Sequence, residues 1–407
     1  MGTFVGVVGL GYVGLPLAVL YAQKGYNVIA YDCDESKVES LRKGVSYIED
    51  IEDSVLNSVL ERITPTTKPS DLSVAECISV CVPTPLKGHS PDLKPIVGAL
   101  NDIKHHVKEW AVVVIESTVY PNFTNGLAKT LFPKAHVVFS SERVDPNNSE
   151  FEIKDIPKVL GADDPVALEK ARSFYSNLFT LKEVSSTKVA EMSKLLENTY
   201  RAVNIALANE FARISESLDI NVWEVIDAAA TKPFGFQPFY PSLGVGGHCI
   251  PVDPYYLLHA KDSVFVRLAM GINESMPSKC LSMARNDLRG NVLILGMAYK
   301  PNVADYRESP SLELLRSMIH QTNCVLGLNM FGHDCAISYY DPHIPEISVK
   351  NTTLKSLQSL EEALYWADCV LLCVAHKDFD KDLIKSNSKK LYDFCGLFRD
   401  DSDVMGL

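Results

Sequence analysis

A glycine motif set between a strand and a helix restricts the fold most. Phe4 to Val8 read as a buried strand and Leu15 to Lys24 as a helix, and Gly9-Leu10-Gly11-Tyr12-Val13-Gly14 stands between them. That is Gly-x-Gly-x-x-Gly in the strand-turn-helix setting the motif requires. Gly9 makes the tight turn, Gly11 lets a pyrophosphate approach the backbone, and Gly14 lets helix and strand pack. Unpaired N–H groups at the helix start then face the phosphates. Asp32 ends the second strand, 18 residues after Gly14. A carboxylate there accepts from a ribose 2′-hydroxyl and repels a 2′-phosphate, so NAD is expected over NADP, with Lys37 close enough to soften the preference. The competing reading, a glycine-rich turn with no ligand, leaves both the context and the acid unexplained.

The alternation continues. Val28–Tyr31, Cys77–Val82, Ala111–Ile115 and Ala135–Phe139 read as strands with helical patterns between them. Valine-rich strands in this rhythm predict a doubly wound parallel sheet. From Ser186 to about Asp219 the pattern becomes one long helix, with Val189, Met192, Leu196, Val203, Leu207 and Phe211 on an apolar face suited to dimerisation. A helical stretch, Val222–Ala230, leads to a loop crowded with Pro, Gly and aromatics between Lys232 and Pro241. A second α/β unit begins near Asn291, with strands Val292–Leu295, Ile337–Tyr340 and Cys369–Val374 and helices Ser311–Ile319 and Leu360–Trp366. The fold class expected is α/β: two Rossmann-like doubly wound lobes joined by a long central helix and a helical middle region.

Composition removes other classes. A net charge of −12 argues against nucleic-acid or anionic-membrane binding. No apolar run approaches the roughly 18 residues of a membrane span. The N-terminus lacks the basic region of a signal peptide, so the 10 cysteines are expected as reduced thiols in a cytoplasm. Cys77 with Cys81, and Cys369 with Cys373, sit in apolar strand-like runs and read as core filling; no metal is expected.

Chemistry concentrates in Leu243-Gly244-Val245-Gly246-Gly247-His248-Cys249-Ile250-Pro251-Val252-Asp253-Pro254. Glycines before Cys249 leave its backbone open to close approach by a ligand. A thiol in such a place can attack a carbonyl carbon and hold the product covalently. Together with a hydride acceptor, this suggests oxidation of an alcohol past the aldehyde to an acid.

With these residues in hand, the chain resembles the UDP-glucose/GDP-mannose dehydrogenase family over nearly its whole length. The resemblance rests on Val7–Gly14, Val82-Pro83-Thr84-Pro85, Glu116-Ser117-Thr118-Val119, Ser141-Glu142-Arg143-Val144-Asp145-Pro146, Lys194–Asn198 and Gly244–Pro254. It extends through Gly296–Pro301 and Asp305–Pro310. Gly-Gly-His-Cys-Ile-Pro-Val-Asp-Pro after Thr231–Phe236 is most similar to the UDP-N-acetylhexosamine branch, nearest the UDP-N-acetylglucosamine 6-dehydrogenases. The resemblance implies an NAD-binding domain over 1–185, a central dimerisation region with the cysteine loop over 186–285, and a nucleotide-sugar-binding domain over 286–407. It implies a homodimer or higher homo-oligomer, and four-electron oxidation of the C6 hydroxymethyl of a UDP-sugar with two NAD and one water. UDP-N-acetylglucosamine is the first candidate; UDP-N-acetylmannosamine, UDP-glucose and a non-catalytic binding relative are the alternatives.

The same resemblance assigns roles. Lys194 and Asn198 project from one helical face toward the reacting C6 oxygen, as oxyanion-stabilising groups. Cys249 captures the aldehyde as a thiohemiacetal and then carries a thioester, with Lys194 one source of a depressed thiol pKa. Asp253, Thr118 and Glu142 match acid–base and water-positioning groups. Asp253 could instead cap a helix, Thr118 could cap a strand end, and Glu142 could pair with Arg143. Tyr12, Val13, Pro83, Thr84, Thr118 and Arg307 join Gly9, Gly11, Gly14, Asp32 and Lys37 on the cofactor, with Arg307 at its phosphates. Glu142, Arg143, Lys194, Asn198, Phe239, Tyr240, Gly246 and Lys300 fall to the substrate, although Phe239 and Tyr240 could be plain packing. Three departures stand out: Leu243 where relatives carry Pro, Ser141 before Glu142, and Asp393-Phe394-Cys395-Gly396, after which the nearest arginine is Arg399.

Overall fold

The computed structural model describes residues 2–48, 51–143, 155–319, 326–328, 334–349 and 352–407; the motif residues Val144, Asp145 and Pro146 lie outside them. The chain divides into two units, Met1–Glu197 with Tyr255–Asp262, and Asn198–Pro254 with Ser263–Leu407.

In the first unit, apolar strands buried on both faces build one sheet. These are β1 (Phe4–Val8), β2 (Asn27–Tyr31), β3 (Ile63–Thr66) and β4 (Cys77–Val80), then β7 (Val112–Ile115), β8 (His136–Phe139), β9 (Lys158–Gly161) and β10 (Leu181–Val184). A two-stranded hairpin, β5 (Leu86–Lys87) and β6 (Ser90–Pro91), stands apart. The sheet order is β10-β9-β8-β7-β4-β1-β2-β3. With the hairpin left out, its first six strands follow the 3-2-1-4-5-6 order of dinucleotide-binding folds. All pairs are parallel except β8 with β9, which meet antiparallel at Phe139 and Gly161. Helices α1 (Gly14–Gln23), α2 (Glu35–Arg42) and α3 (Pro165–Tyr175) flank the sheet. Apolar clusters cover both faces, one around Leu15, Tyr21 and Tyr175, the other around Ile96, Leu100 and Phe139.

Helix α4 (Thr187–Ser217) realises the long helix read from the sequence, and the division between the units falls within it. Its core-facing side is built of small residues, Ala190, Ala202, Ala206 and Ala212, with Leu195 and Asn209. Val189, Met192, Leu196, Leu207 and Phe211 are exposed along it.

In the second unit, α5 (Val222–Ala230), α6 (Asp253–Ala260, which continues into the first unit) and α7 (Val264–Ala284) precede a second sheet. Its strands are β11 (Gly290–Leu295), β12 (Leu326–Leu328), β13 (Asp334–Tyr340), β16 (Cys369–Leu372), β17 (Leu391–Asp393) and β18 (Met405–Gly406), in the order β12-β13-β11-β16-β17-β18. A separate hairpin joins β14 (Glu346–Val349) to β15 (Thr352–Lys355). Only β12 runs against its neighbour; the others give a 2-1-3-4-5 parallel order, the second doubly wound pattern. No described helix is long and apolar enough to cross a membrane.

The two sheets use the same device at their switch points. A Cβ on Gly9 (φ +87°) would stand 2.8 Å from the Cys81 carbonyl, and one on Gly296 (φ +85°) would stand 2.6 Å from Val374. Each acid after the second parallel strand, Asp32 or Asp341, accepts the backbone N–H that follows its glycine, at Leu10 or Met297. Their surroundings differ. Asp341 is wholly enclosed by the N–H groups of Met297, Ala298, His343 and Ile344 and by His376 Nε2 at 3.1 Å, a structural pin.

Candidate active site

The cofactor cradle lies at the carboxyl ends of β1 and β4, where an open α/β sheet offers its crevice. A Cβ on Gly14 would fall 1.8 Å from the Gly9 carbonyl, whereas one on Gly11 would meet nothing within 4 Å. So Gly9 and Gly14 serve the backbone turn, and Gly11 faces space open to a ligand. Val13 caps α1 without a side-chain hydrogen bond, which leaves the helix end to an anion. Asp32 Oδ2 accepts from Leu10 N at 2.7 Å and Lys37 Nζ at 3.2 Å, and Oδ1 accepts from Asp34 N at 2.9 Å. A carboxylate offers about four acceptor positions, so capacity for a ribose hydroxyl remains. These residues fit a dinucleotide. Tyr12 is exposed beside the turn and Val13 half-buried within it.

Pro83 and Thr84 follow β4 on a loop held from two sides. Ser117 Oγ donates to Val82 O at 2.7 Å, and Tyr256 OH donates to Thr84 O at 3.0 Å. Thr118, half-buried, comes next after Ser117 at the end of β7. Beyond it Glu191 on α4 accepts from the N–H groups of Asn122 (2.5 Å) and Thr124 (2.8 Å), fixing that loop to the helix.

Glu142 and Arg143 lie past the end of β8. Lys194 Nζ donates to the Glu142 carbonyl at 2.8 Å, so the structure brings these two together. Arg143 pairs with Glu197 at 2.9 Å, one helix turn on from Ser193. Glu142 Oε1 accepts the Arg143 backbone N–H at 2.7 Å, and Oε2 lies 3.0 Å from Lys158 Nζ. Lys158, with Glu116 behind it, escaped the sequence reading. The available signal was Glu116 itself, a carboxylate directly after the apolar run Val-Val-Val-Ile.

The cysteine loop belongs to the second unit. Asn209 anchors it: Nδ2 donates to Asn273 Oδ1 at 3.0 Å, and Oδ1 accepts Ser242 N at 2.9 Å. Leu243 is buried in the core with Met276 and Leu281, where its bulk fills space. A Cβ on Gly246 would come within 2.8 Å of Pro310 Cδ, and one on Gly247 (φ +82°) within 3.0 Å of the Tyr299 ring. The glycine pair therefore makes room for the Tyr299–Pro310 segment. Cys249 is exposed. Its carbonyl accepts Val252 N at 3.0 Å and Asp253 N at 2.8 Å, a tight turn into α6. Asp253 is buried as the first residue of that helix, and Asn198 Nδ2 donates to its Oδ2 at 2.5 Å.

Lys300 is half-buried with its ammonium 5.9 Å from the Tyr299 ring centre. Arg307 forks onto Asp305 within its own loop, at 2.9 and 2.8 Å. Burial, helped by Arg307, pushes the His248 pKa down against the pull of Asp305 and Glu308. Phe239 packs edge-on against Tyr200 at 5.8 Å, and Tyr240 stacks on Trp223 at 5.5 Å. Arg399 lies over the Tyr240 ring at 5.5 Å and 3.6 Å from Asp227. Asp393 turns its carboxylate onto the N–H groups of Cys395, Gly396 and Phe398.

Two parallel α/β sheets, a dinucleotide cradle and a cysteine loop define an NAD-dependent dehydrogenase. Sequence profiles of the UDP-glucose/GDP-mannose dehydrogenase family match in three consecutive parts: the NAD binding domain over residues 3–179, the central domain over 188–275 and the UDP binding domain over 293–399. The chain belongs to that family, and it is an NAD-dependent nucleotide-sugar 6-dehydrogenase. It is 34% identical to a UDP-N-acetyl-D-mannosamine dehydrogenase of Methanocaldococcus jannaschii, over 96% of this chain and 90% of that one. It is 32% identical to a UDP-N-acetyl-D-glucosamine 6-dehydrogenase of Pseudomonas aeruginosa, over 95% and 93%. The solved UDP-D-ManNAc dehydrogenase of Pyrococcus horikoshii superposes with a TM-score of 0.84 at 30% identity, covering 96% of this chain and 94% of that one.

Proposed function

We propose that the protein oxidises the C6 hydroxymethyl of a UDP-N-acetylhexosamine to the carboxylate, with UDP-N-acetylglucosamine as first candidate. The observation that carries this reading is the Asn198–Asp253 hydrogen bond, which ties the catalytic helix to the turn bearing Cys249. A second reading, the 2-epimer UDP-N-acetylmannosamine, is favoured by the relatives from Methanocaldococcus and Pyrococcus; UDP-glucose is the third.

Bound NAD supplies the hydride acceptor for each of two oxidations. Lys194, an ammonium with three donors of which one reaches the Glu142 carbonyl, stabilises the C6 oxyanion. Asn198, held by Asp253, directs an amide donor at the same oxygen. The Cys249 thiolate adds to the C6 aldehyde as a thiohemiacetal, which keeps the aldehyde from escaping. The second oxidation leaves a thioester, and water cleaves it to the acid and the regenerated thiol. Asp253, Glu142 and Thr118 position that water and take its proton. In sum, the alcohol, two NAD⁺ and one water give the carboxylate, two NADH and three protons.

Arg143, Lys300, Gly246, Phe239 and Tyr240 serve the nucleotide sugar; Tyr12, Val13, Pro83, Thr84, Lys37 and Arg307 serve NAD. Functional domains run 1–185, 186–285 and 286–407. The exposed apolar stripe of α4 supports a homodimer, and ten cysteines read as reduced thiols favour a cytoplasmic reaction. The test supplies NAD with UDP-N-acetylglucosamine, UDP-N-acetylmannosamine or UDP-glucose, following NADH absorbance and product mass. Two NADH and a uronic acid from either N-acetylated sugar support the proposal. Turnover of UDP-glucose alone, or one NADH with a released aldehyde, overturns it.

A further inference from the structure

Lys158 opens β9, the strand that runs against β8, and this reversal sets its side chain at the ends of β7 and β8. There its Nζ stands 2.8 Å from Glu116 Oε2 and 3.0 Å from Glu142 Oε2. The Lys158 and Glu116 side chains are 3% and 0% exposed, whereas that of Glu142 is 25% exposed. Tyr175 OH donates to Glu116 Oε1, and Ser79 Oγ lies 2.9 Å from that hydroxyl. So Glu116 is gripped from behind, Lys158 is gripped by Glu116, and only Glu142 reaches toward solvent.

A buried ion pair gains little over well-packed apolar groups, because desolvation offsets the Coulomb attraction. One ammonium neutralises one carboxylate, so a purely structural pair of Lys158 with Glu116 has no need of Glu142. We propose that Lys158 is a positioning residue: it holds the Glu142 carboxylate ionised and in a fixed orientation for proton transfer, with Glu116 and Tyr175 locking the lysine from behind. This rests on the acid–base reading of Glu142 given above.

The electrostatics agree. Burial opposes the charge on Lys158, but Glu116 and Glu142 outweigh it and push its pKa up. Burial raises the Glu116 pKa against Lys158's pull. Among the described residues, the charged and titratable groups facing the Glu142 carboxylate include Lys158, with Glu116 and Tyr175 beyond it, and the buried Cys81 thiol. Its backbone carries Lys194, and Arg143 is engaged by Glu197.

The experiment compares pH profiles of kcat/KM for the full-length wild type, Lys158→Met, Lys158→Arg and the double variant Lys158→Met/Glu116→Gln, which leaves no unpaired charge in the core. Removing the cation beside Glu142 raises that carboxylate's pKa. The acid limb is therefore expected about one pH unit higher in both Met variants, with the plateau about tenfold lower and KM for NAD unchanged. Lys158→Arg restores the wild-type limb. If the double variant folds and keeps the wild-type limb and plateau, Lys158 is structural only and the inference fails. Glu142→Gln separates the two readings: full activity there removes the acid–base role of Glu142 itself, whereas a dead Glu142→Gln beside an unshifted double variant sinks the Lys158 proposal alone.

Discussion

Asn198 donates its side-chain amide to Asp253 Oδ2 at 2.5 Å, while the Asp253 backbone N–H donates to the Cys249 carbonyl at 2.8 Å. One carboxylate thus joins the second unit's part of α4 to the turn that carries Cys249. Asp253→Asn keeps the shape but removes the charge and sets an amide against an amide donor. We predict a fall in kcat of about 100-fold, with KM for NAD unchanged, read from initial rates of NADH formation. Unchanged kcat would show that Asp253 only shapes the turn.

Cys249 is exposed on its turn, so a change of sulfur to oxygen costs little in folding. Cys249→Ser is expected to stop the reaction at or before a bound aldehyde, since a hydroxyl is a far weaker nucleophile at neutral pH. Single-turnover absorbance should show at most one NADH per site and no uronic acid by mass. Normal release of uronic acid rules out the covalent route.

Asp32→Ala removes the partner of Leu10 N and Lys37 and, with it, the acceptor proposed for the ribose. KM for NAD should rise about tenfold or more, and NADP should lose less, because the repulsion of a 2′-phosphate goes with the carboxylate. Equal losses for the two cofactors, measured side by side, would dismiss the ribose role.

Asp341 is a stability residue. Burial raises its pKa, but His376 and the N–H groups of Met297 and His343 more than compensate and hold it below the ordinary carboxylate range. An acid with a lowered folded pKa contributes stability above its unfolded pKa of about 3.9 and loses it as pH falls through the folded value. Asp341→Asn turns an amide toward backbone donors and should cost about 3 kcal/mol at pH 7. The difference from wild type should shrink below about pH 4; urea midpoints at both pH values decide it.

The α4 stripe of Leu196, Leu207 and Phe211 is 65%, 55% and 45% exposed. An apolar stripe of this kind on a helix marks a protein interface. Leu207→Glu with Phe211→Glu is expected to convert a dimer into a monomer, read by light scattering on a sizing column. A wild-type monomer at micromolar concentration would refute the assembly.

Most of the fold was legible because it follows from periodicity. Valine-rich strands buried on both faces and a glycine turn before α1 leave little choice but a doubly wound sheet, and both lobes formed as read. Lys194 and Asn198 share the long helix, and Asp253 N–H closes the turn on the Cys249 carbonyl. Where pattern fell short, a distant segment was responsible: spacing does not reveal that Pro310 and Tyr299 stand where a Cβ on Gly246 or Gly247 would go, nor that Leu243 packs with Met276 in the core.

What the sequence by itself determined is the chain's local chemistry: a strand-turn-helix cradle for NAD, a cysteine turn, a helix bearing lysine and asparagine one turn apart, and two α/β lobes. These depend on interactions between residues near in the chain, where spacing alone sets geometry. Tertiary structure decided which charges meet. Glu116, Glu142 and Lys158 come from the ends of three strands, and only the reversed direction of β9 brings them within 3.0 Å. Burial then sets their strength, because a lysine shut away from water is held charged only by the carboxylates the fold places around it.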